Sequence, residues 1–363
     1  MKTALPYKIA LTLLLLVPSL AFSNNTIKDK HEKEKTIKKE FNVNSNALVE
    51  IDNSYGNLDI VTWNENRVVF EITIKTSGNN EDKVNQKLEE ITVEFNASSS
   101  KVSAKTIFNK NNSNNWWNWG KNNNVNMQVN YIVKMPITNS VALSNDYGAI
   151  NLAKLEGKAT ISCDYGKITT EELMAEGNIL NFDYTSGCSF EYINSATINA
   201  DYSGYTVAKA KNLNISADYT QSKIELAEDI KYNCDYGSIT IEKVNNIIGN
   251  GDYLTTKIGD VYKNVKIEAD YGSIKIDRMN SNAGNLDINA DYTGIKVGLA
   301  NGYAFDFDID LEYASLNDTD GFEYSKKITE SGSKKYAGHV GNNNSGNLIK
   351  ISSDYGNVTF NNN

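Results

Sequence analysis

The chain has 363 residues, with 36 basic against 45 acidic side chains for a net charge of -9, three cysteines and two histidines. With Arg67 and Arg278 as the sole arginines there is no basic stripe, and the acidic balance argues against nucleic acid as a partner. Histidines only at positions 31 and 339 argue against a histidine triad or histidine metal site, and an odd number of cysteines leaves no complete disulfide framework.

Residues 1–23 read as a signal peptide: Lys2 and Lys8, an apolar stretch from Ile9 to Leu20, then the small-x-small run Ala21-Phe22-Ser23. The apolar stretch falls short of the roughly 20 residues a spanning helix needs, so no membrane span is expected after its removal. Residues 24–40 mix both charges with few apolar side chains and predict a charged, flexible tether. Residues 41–140 alternate as strands, with Val84, Leu88 and Ile91 at helical spacing. This predicts a strand-rich N-terminal cap carrying one short helix between Asn80 and Ile91. Within it, the asparagine-rich stretch from Asn109 to Asn126 carries Trp116, Trp117 and Trp119, candidate ligand-binding residues for a sugar or a lipid headgroup; folding back over the cap is the alternative.

From residue 141 onward the sequence is a repeat. Asp-Tyr recurs with tyrosines at Tyr147, Tyr165, Tyr184, Tyr202, Tyr219, Tyr236, Tyr253, Tyr271, Tyr292 and, after a gap, Tyr355; Tyr55 and Tyr313 are degenerate copies. Apolar or small residues precede each tyrosine at alternate positions, as in Val265, Ile267 and Ala269 before Tyr271, and resume as Ile274 and Ile276 after Gly272. Each copy therefore reads as strand, bend, strand and return loop. Two short strands cannot bury their own apolar face, but stacked copies can. The expected fold is all-β: a single-stranded β-helix, or β-solenoid, of about 17 to 21 residues per coil over 141–363, with a mobile hairpin insertion at 321–346. Ten layers from Tyr147 to Tyr313 would make a rod of roughly 43 Å.

Cys163 and Cys234 hold equivalent places four copies apart, roughly 19 Å at strand spacing, too far to bridge; buried free thiols are expected. The residue two before each tyrosine is mostly small, which places the tyrosines inward or at the corner in a stacked column; an outward aromatic strip is the competing reading. The preceding aspartates form an outward column. Each is expected to accept a backbone hydrogen bond from the bend, with cation binding between layers as the alternative.

Three stretches together resemble a known group. They are Val49-Glu50-Ile51-Asp52-Asn53-Ser54-Tyr55-Gly56-Asn57-Leu58-Asp59-Ile60-Val61-Thr62-Trp63, the strand ending Val133-Lys134-Met135-Pro136, and the serial Asp-Tyr-Gly copies. The group is the bacterial putative-adhesin family of unknown function, of Bacteroidetes-type envelopes. The resemblance spans nearly all of the chain after residue 23 and implies an exported β-helical protein, with no active-site residue to carry over. Function is therefore expected to be that of a non-enzymatic adhesin or envelope binding module in the periplasm, on the outer surface or secreted. Its expected partners are a glycan, a cell surface or an envelope protein, with no cofactor and no metal. A polysaccharide-active enzyme on the same fold, or a periplasmic component that adheres to nothing, is the alternative.

Overall fold

A computed structural model describes residues 30–108, 125–343 and 345–362. Among them the protein is nearly all β, with a single α-helix and one long open sheet. The alternation read from sequence becomes alternation of burial: Val265, Ile267 and Ala269 face the core while Lys266, Glu268 and Asp270 face water. Successive copies then pair in parallel and in register, so that Asp146, Asp164, Asp183 and Asp201 lie side by side, as do Asp252, Asp270, Asp291 and Asp354.

Inside, identical positions form apolar columns such as Val207, Ile224, Ile241, Ile258, Ile276 and Val297. Where one layer carries an oversized residue its neighbour shrinks. Tyr232 lies next to Gly249, and a Cβ at 249 would fall 2.1 Å from the Tyr232 ring. In the middle layers there is no separate return loop, because strands such as Gly204–Ser216 and Gln221–Asn233 run unbroken from one copy into the next. The three cysteines are buried and free, as expected.

The N-terminal region differs from its sequence reading in one respect. Residues His31–Asn42, of which 31–40 fall in the stretch read as a tether, form a strand antiparallel to Arg67–Gly78. Its mixed charges are matched across the ladder: Lys75 pairs with Glu32 and Glu34, Lys38 with Glu71, and Arg67 with Glu40, while Ile37 and Phe41 pack on the core. A charge run that finds complementary partners on a strand need not stay solvated. The helix runs Glu81–Glu90, capped by Asn80 accepting from the Lys83 amide, with Val84 and Leu88 buried. The signal-peptide reading and Trp116, Trp117 and Trp119 lie outside the described residues.

The C-terminal end departs from chain order. Strand Leu348–Asp354 pairs in parallel on both of its edges, with Leu286–Asp291 on one side and Phe305–Glu312 on the other. The last copy in sequence therefore sits between the Tyr292 and Tyr313 layers. The insertion forms the expected hairpin, with its first strand largely exposed and its second paired to the stack. Phe322–Thr329 pairs antiparallel with Ser333–Val340, which pairs in turn with Phe305–Glu312, and Phe322 stacks near Phe305, Phe307 and Phe360. Its aromatic side chains complete the apolar end of the stack, which a solvated hairpin would leave open.

Candidate binding surface

At every corner the chain must leave one strand and enter the next, and it does so at the tyrosine. Tyr55, Tyr147, Tyr165, Tyr184, Tyr202, Tyr219, Tyr236, Tyr253, Tyr271, Tyr292, Tyr313 and Tyr355 all have φ between 49° and 59°. This left-handed conformation costs a side-chain-bearing residue roughly 1–2 kcal/mol. Its return is a shared hydrogen-bond pattern: the Tyr147 amide donates to the Asp164 carbonyl at 3.0 Å, Tyr219 to Asp235 at 2.9 Å and Tyr253 to Asp270 at 2.8 Å.

The left-handed corner also ends the strand alternation, so the tyrosine does not share the inward parity of the small residue two places before it. The ring points outward, which corrects the inward placement read from the sequence, while the corner position and the stacked column stand. The small residues make room for something else, the inward residue after the tyrosine: Thr185, Thr220, Leu254 and Thr293 are buried, and a Cβ on Gly251 would lie 2.8 Å from Leu254.

The rings form one column. Its order is Tyr55, Tyr147, then each later copy to Tyr292, then Tyr355 and last Tyr313. Adjacent centroids are 4.7 Å apart at the closest, between Tyr292 and Tyr355, and 5.2 Å at the widest, between Tyr147 and Tyr165. Planes deviate by only 1° between Tyr184 and Tyr202 and by 9° between Tyr253 and Tyr271. From Tyr147 onward every ring is exposed, Tyr219 at 50% and Tyr313 at 67%. Because neighbouring rings lie near-parallel and close, the column turns mainly C–H edges and phenol groups to water. At the ends, Phe108 meets Tyr55 in a T-shaped contact, and the turn at Gly332 lies close to Tyr313, the most exposed ring of the column.

Beside the rings run the aspartates. Carboxylates of this column accept a backbone N–H at Asp183, Asp201, Asp218, Asp235 and Asp270, but from the aspartate of the following layer and not from their own bend. The Asp201 amide donates to Asp183 Oδ1 at 3.0 Å, Asp218 to Asp201 at 3.1 Å and Asp252 to Asp235 at 2.8 Å. Partial burial, followed by repulsion from neighbouring carboxylates, raises the pKa of Asp146, Asp252 and Asp291. Tyr165, Tyr202 and Tyr236 are raised likewise, by desolvation first and by adjacent phenols second. Among the described residues no cluster of three or more histidine, cysteine or acidic side chains could hold a metal ion.

Raised carboxyl pKa values carry a sign. Stability is greater where these groups are protonated and is lost as pH rises through their folded pKa, which lies above the ordinary value of about 3.9. Glu65 and Glu81 work the other way: hydrogen bonds from Arg67 and Lys33 depress their pKa, so their contribution fades only below the ordinary range of about 4.3. The melting temperature is expected to rise as pH falls from 7 to about 4.5. Asp235→Asn, which keeps the acceptor for the Asp252 amide, should raise it slightly at neutral pH. Calorimetry giving a melting temperature that drops steadily over this interval would contradict the repulsive column.

A depression of about 360 Å³ flanks the start of the column, lined by Tyr55, Asn57, Lys75, Met127 and Tyr147 among others. No helix among the described residues is long and apolar enough to cross a membrane. Sequence reasoning found every column residue but missed its direction. The available signal was the parity break at each tyrosine followed by Gly, Ser or Thr, which marks a turn residue.

No protein-family model and no curated protein matches the sequence. Among solved structures it is similar to one described as a putative cell adhesion protein from Clostridium sporogenes, at 12% identity, covering 91% of this chain and 100% of that chain, with a TM-score of 0.18. One described as a putative adhesin from Parabacteroides distasonis matches at 9% identity, 90% and 97% coverage and a TM-score of 0.30. A third, described as a putative lipid binding protein from the same organism, matches at 8% identity, 90% and 97% coverage and a TM-score of 0.34. Scores this low carry no argument about the fold, which rests on the strand pairing above. The names these structures bear, putative adhesin and cell adhesion protein, are those of the family the sequence motifs resemble.

Proposed function

We propose that the chain is an exported, non-enzymatic β-solenoid of about 17 to 21 residues per coil, acting as an adhesin or envelope binding module through its tyrosine column. The observation that carries this reading is the column itself: aromatic rings held outward at a strained backbone position in layer after layer. Left-handed corners are met at lower cost by glycine or asparagine, so keeping tyrosine there costs stability without filling the core. Non-enzymatic binding is supported by the even spacing of the acidic groups, which repeat along the stack and do not converge on one place. A location in the envelope or beyond it is supported by the export-like leading segment, and the expected partners are a glycan, a cell surface or an envelope protein.

The test is retention on a panel of immobilised polysaccharides and on intact cells, comparing the wild type with Tyr202→Asn/Tyr219→Asn/Tyr236→Asn. Asparagine accepts the left-handed conformation, so the variant should fold. Wild-type retention without release of sugar ends, reduced about tenfold or more in the variant, is expected for a central aromatic contact. Release of sugar ends would favour a polysaccharide-active enzyme, and equal retention would move binding off the column.

A further inference from the structure

We propose that the tyrosine column pairs with the tyrosine column of a second copy of this chain, so that adhesion through it is homotypic. This rests on the reading of the column as the binding surface and names its partner.

The first argument is area. Eleven tyrosines, from Tyr147 to Tyr355, are each about half exposed or more and lie on one line. With 150–250 Å² per tyrosine side chain, they offer on the order of 1,000 Å² of contiguous phenolic surface. The largest apolar patches of monomeric proteins are about 300–600 Å², while each side of a standard interface buries about 800 Å². The column is too large for the first class and sufficient for the second.

The second argument is which chemistry remains open. Sugars and cations bind aromatic faces, and here the next near-parallel ring, centred 4.7–5.2 Å away, narrows access to them. What is most open is a row of ring edges and O–H groups, each hydroxyl both donor and acceptor. Two such rows can satisfy one another.

The third argument is repeat. The column's period is the strand spacing of a parallel, in-register stack, roughly 4.8 Å. An extended peptide presents same-face side chains only every ~6.7 Å and falls out of step within a few layers. A second in-register stack matches at every layer, and a second copy does so by construction.

Charge selects the arrangement. On the strand side of the tyrosines lies the aspartate column; past the bend, one column carries Lys223, Lys257, Lys275 and Lys296, all exposed. A two-fold axis along the stack sets aspartates of one copy against lysines of the other. An axis across the stack would set aspartates against aspartates. The pair should therefore run in the same direction, as an isologous dimer.

Sedimentation equilibrium on the purified chain alone, without any ligand or cell, tests this. The expected result is twice the chain mass into the high micromolar range, and the mass of one chain for Tyr202→Asn/Tyr219→Asn/Tyr236→Asn with an unchanged circular dichroism spectrum. Lys257→Glu/Lys275→Glu should weaken association severalfold at low salt, and unchanged association would overturn the same-direction arrangement. A wild type that stays monomeric, or a folded asparagine variant that still dimerises as tightly, would overturn the homotypic contact. Because retention on polysaccharides and cells is a separate measurement, a monomer that still binds them through its tyrosines would leave the binding reading intact.

Discussion

Removing residues 347–363 is expected to release the whole 305–340 block from the stack, although that block lies earlier in the chain. Leu348–Asp354 is hydrogen-bonded on both edges, so its loss leaves Leu286–Asp291 and Phe305–Glu312 each with one edge unpaired and a layer apart. The truncation also removes the buried Ile349, Ile351, Val358 and Phe360. At about 1.5–3 kcal/mol for each apolar side chain, their burial contributes on the order of 10 kcal/mol, as much as a whole domain's net stability. Stacked layers contact mainly their neighbours, so the damage should stay local. Hydrogen exchange on the truncated chain should show the 305–340 amides exchanging freely while those before Tyr271 remain protected. If layers were stacked in chain order, the 305–340 amides would keep their protection and only the final layer would be missing.

Ile224→Asp is expected to abolish cooperative folding of the central layers, whereas Lys223→Asp, one residue earlier, should shift stability by no more than about 0.5 kcal/mol. Ile224 is fully buried between Val207 and Ile241, a column with no hydrogen-bonding group to receive a carboxylate. Burying an unpaired charge there costs well over 4 kcal/mol, or else shifts the pKa far upward at a similar cost. Lys223 points to water and pairs with Glu225 and Glu242, an exposed contact of small net worth. Thermal unfolding of both variants measures the parity directly: comparable losses would mean that the register assigned to these strands is wrong.

The strands and their inward residues were legible because a two-residue period survives copy after copy, and the helix at 81–90 because Val84 and Leu88 keep a helical interval behind a capping Asn80. Repetition also identified Tyr55 as a member of the set, and it stacks on Tyr147, 92 positions further along the chain. The direction of the tyrosines was not legible by counting, because a left-handed residue resets the parity on which counting depends. The strand at 31–42 was hidden by its composition: lysine and glutamate read as solvated until the partners on Arg67–Gly78 are known. Stacking order at the C-terminus was hidden for a different reason. Tyr313 follows Glu312 in place of an aspartate, which marks the layer as unusual, but sequence spacing carries no instruction that Tyr355 should slip in beneath it.

The central claim is that the tyrosines stand shoulder to shoulder on one exposed line, and phenolate titration by absorbance, over the pH range in which circular dichroism shows the chain still folded, tests it most directly. Desolvation and repulsion between adjacent ionised phenols raise Tyr165, Tyr202, Tyr236, Tyr271 and Tyr355, so the phenolate transition should be broad and extend above the ordinary value of about 10. In Tyr202→Asn/Tyr219→Asn/Tyr236→Asn the transition should narrow and move down. A single sharp transition at the ordinary phenol pKa, unaltered in that variant, would mean that the rings do not touch.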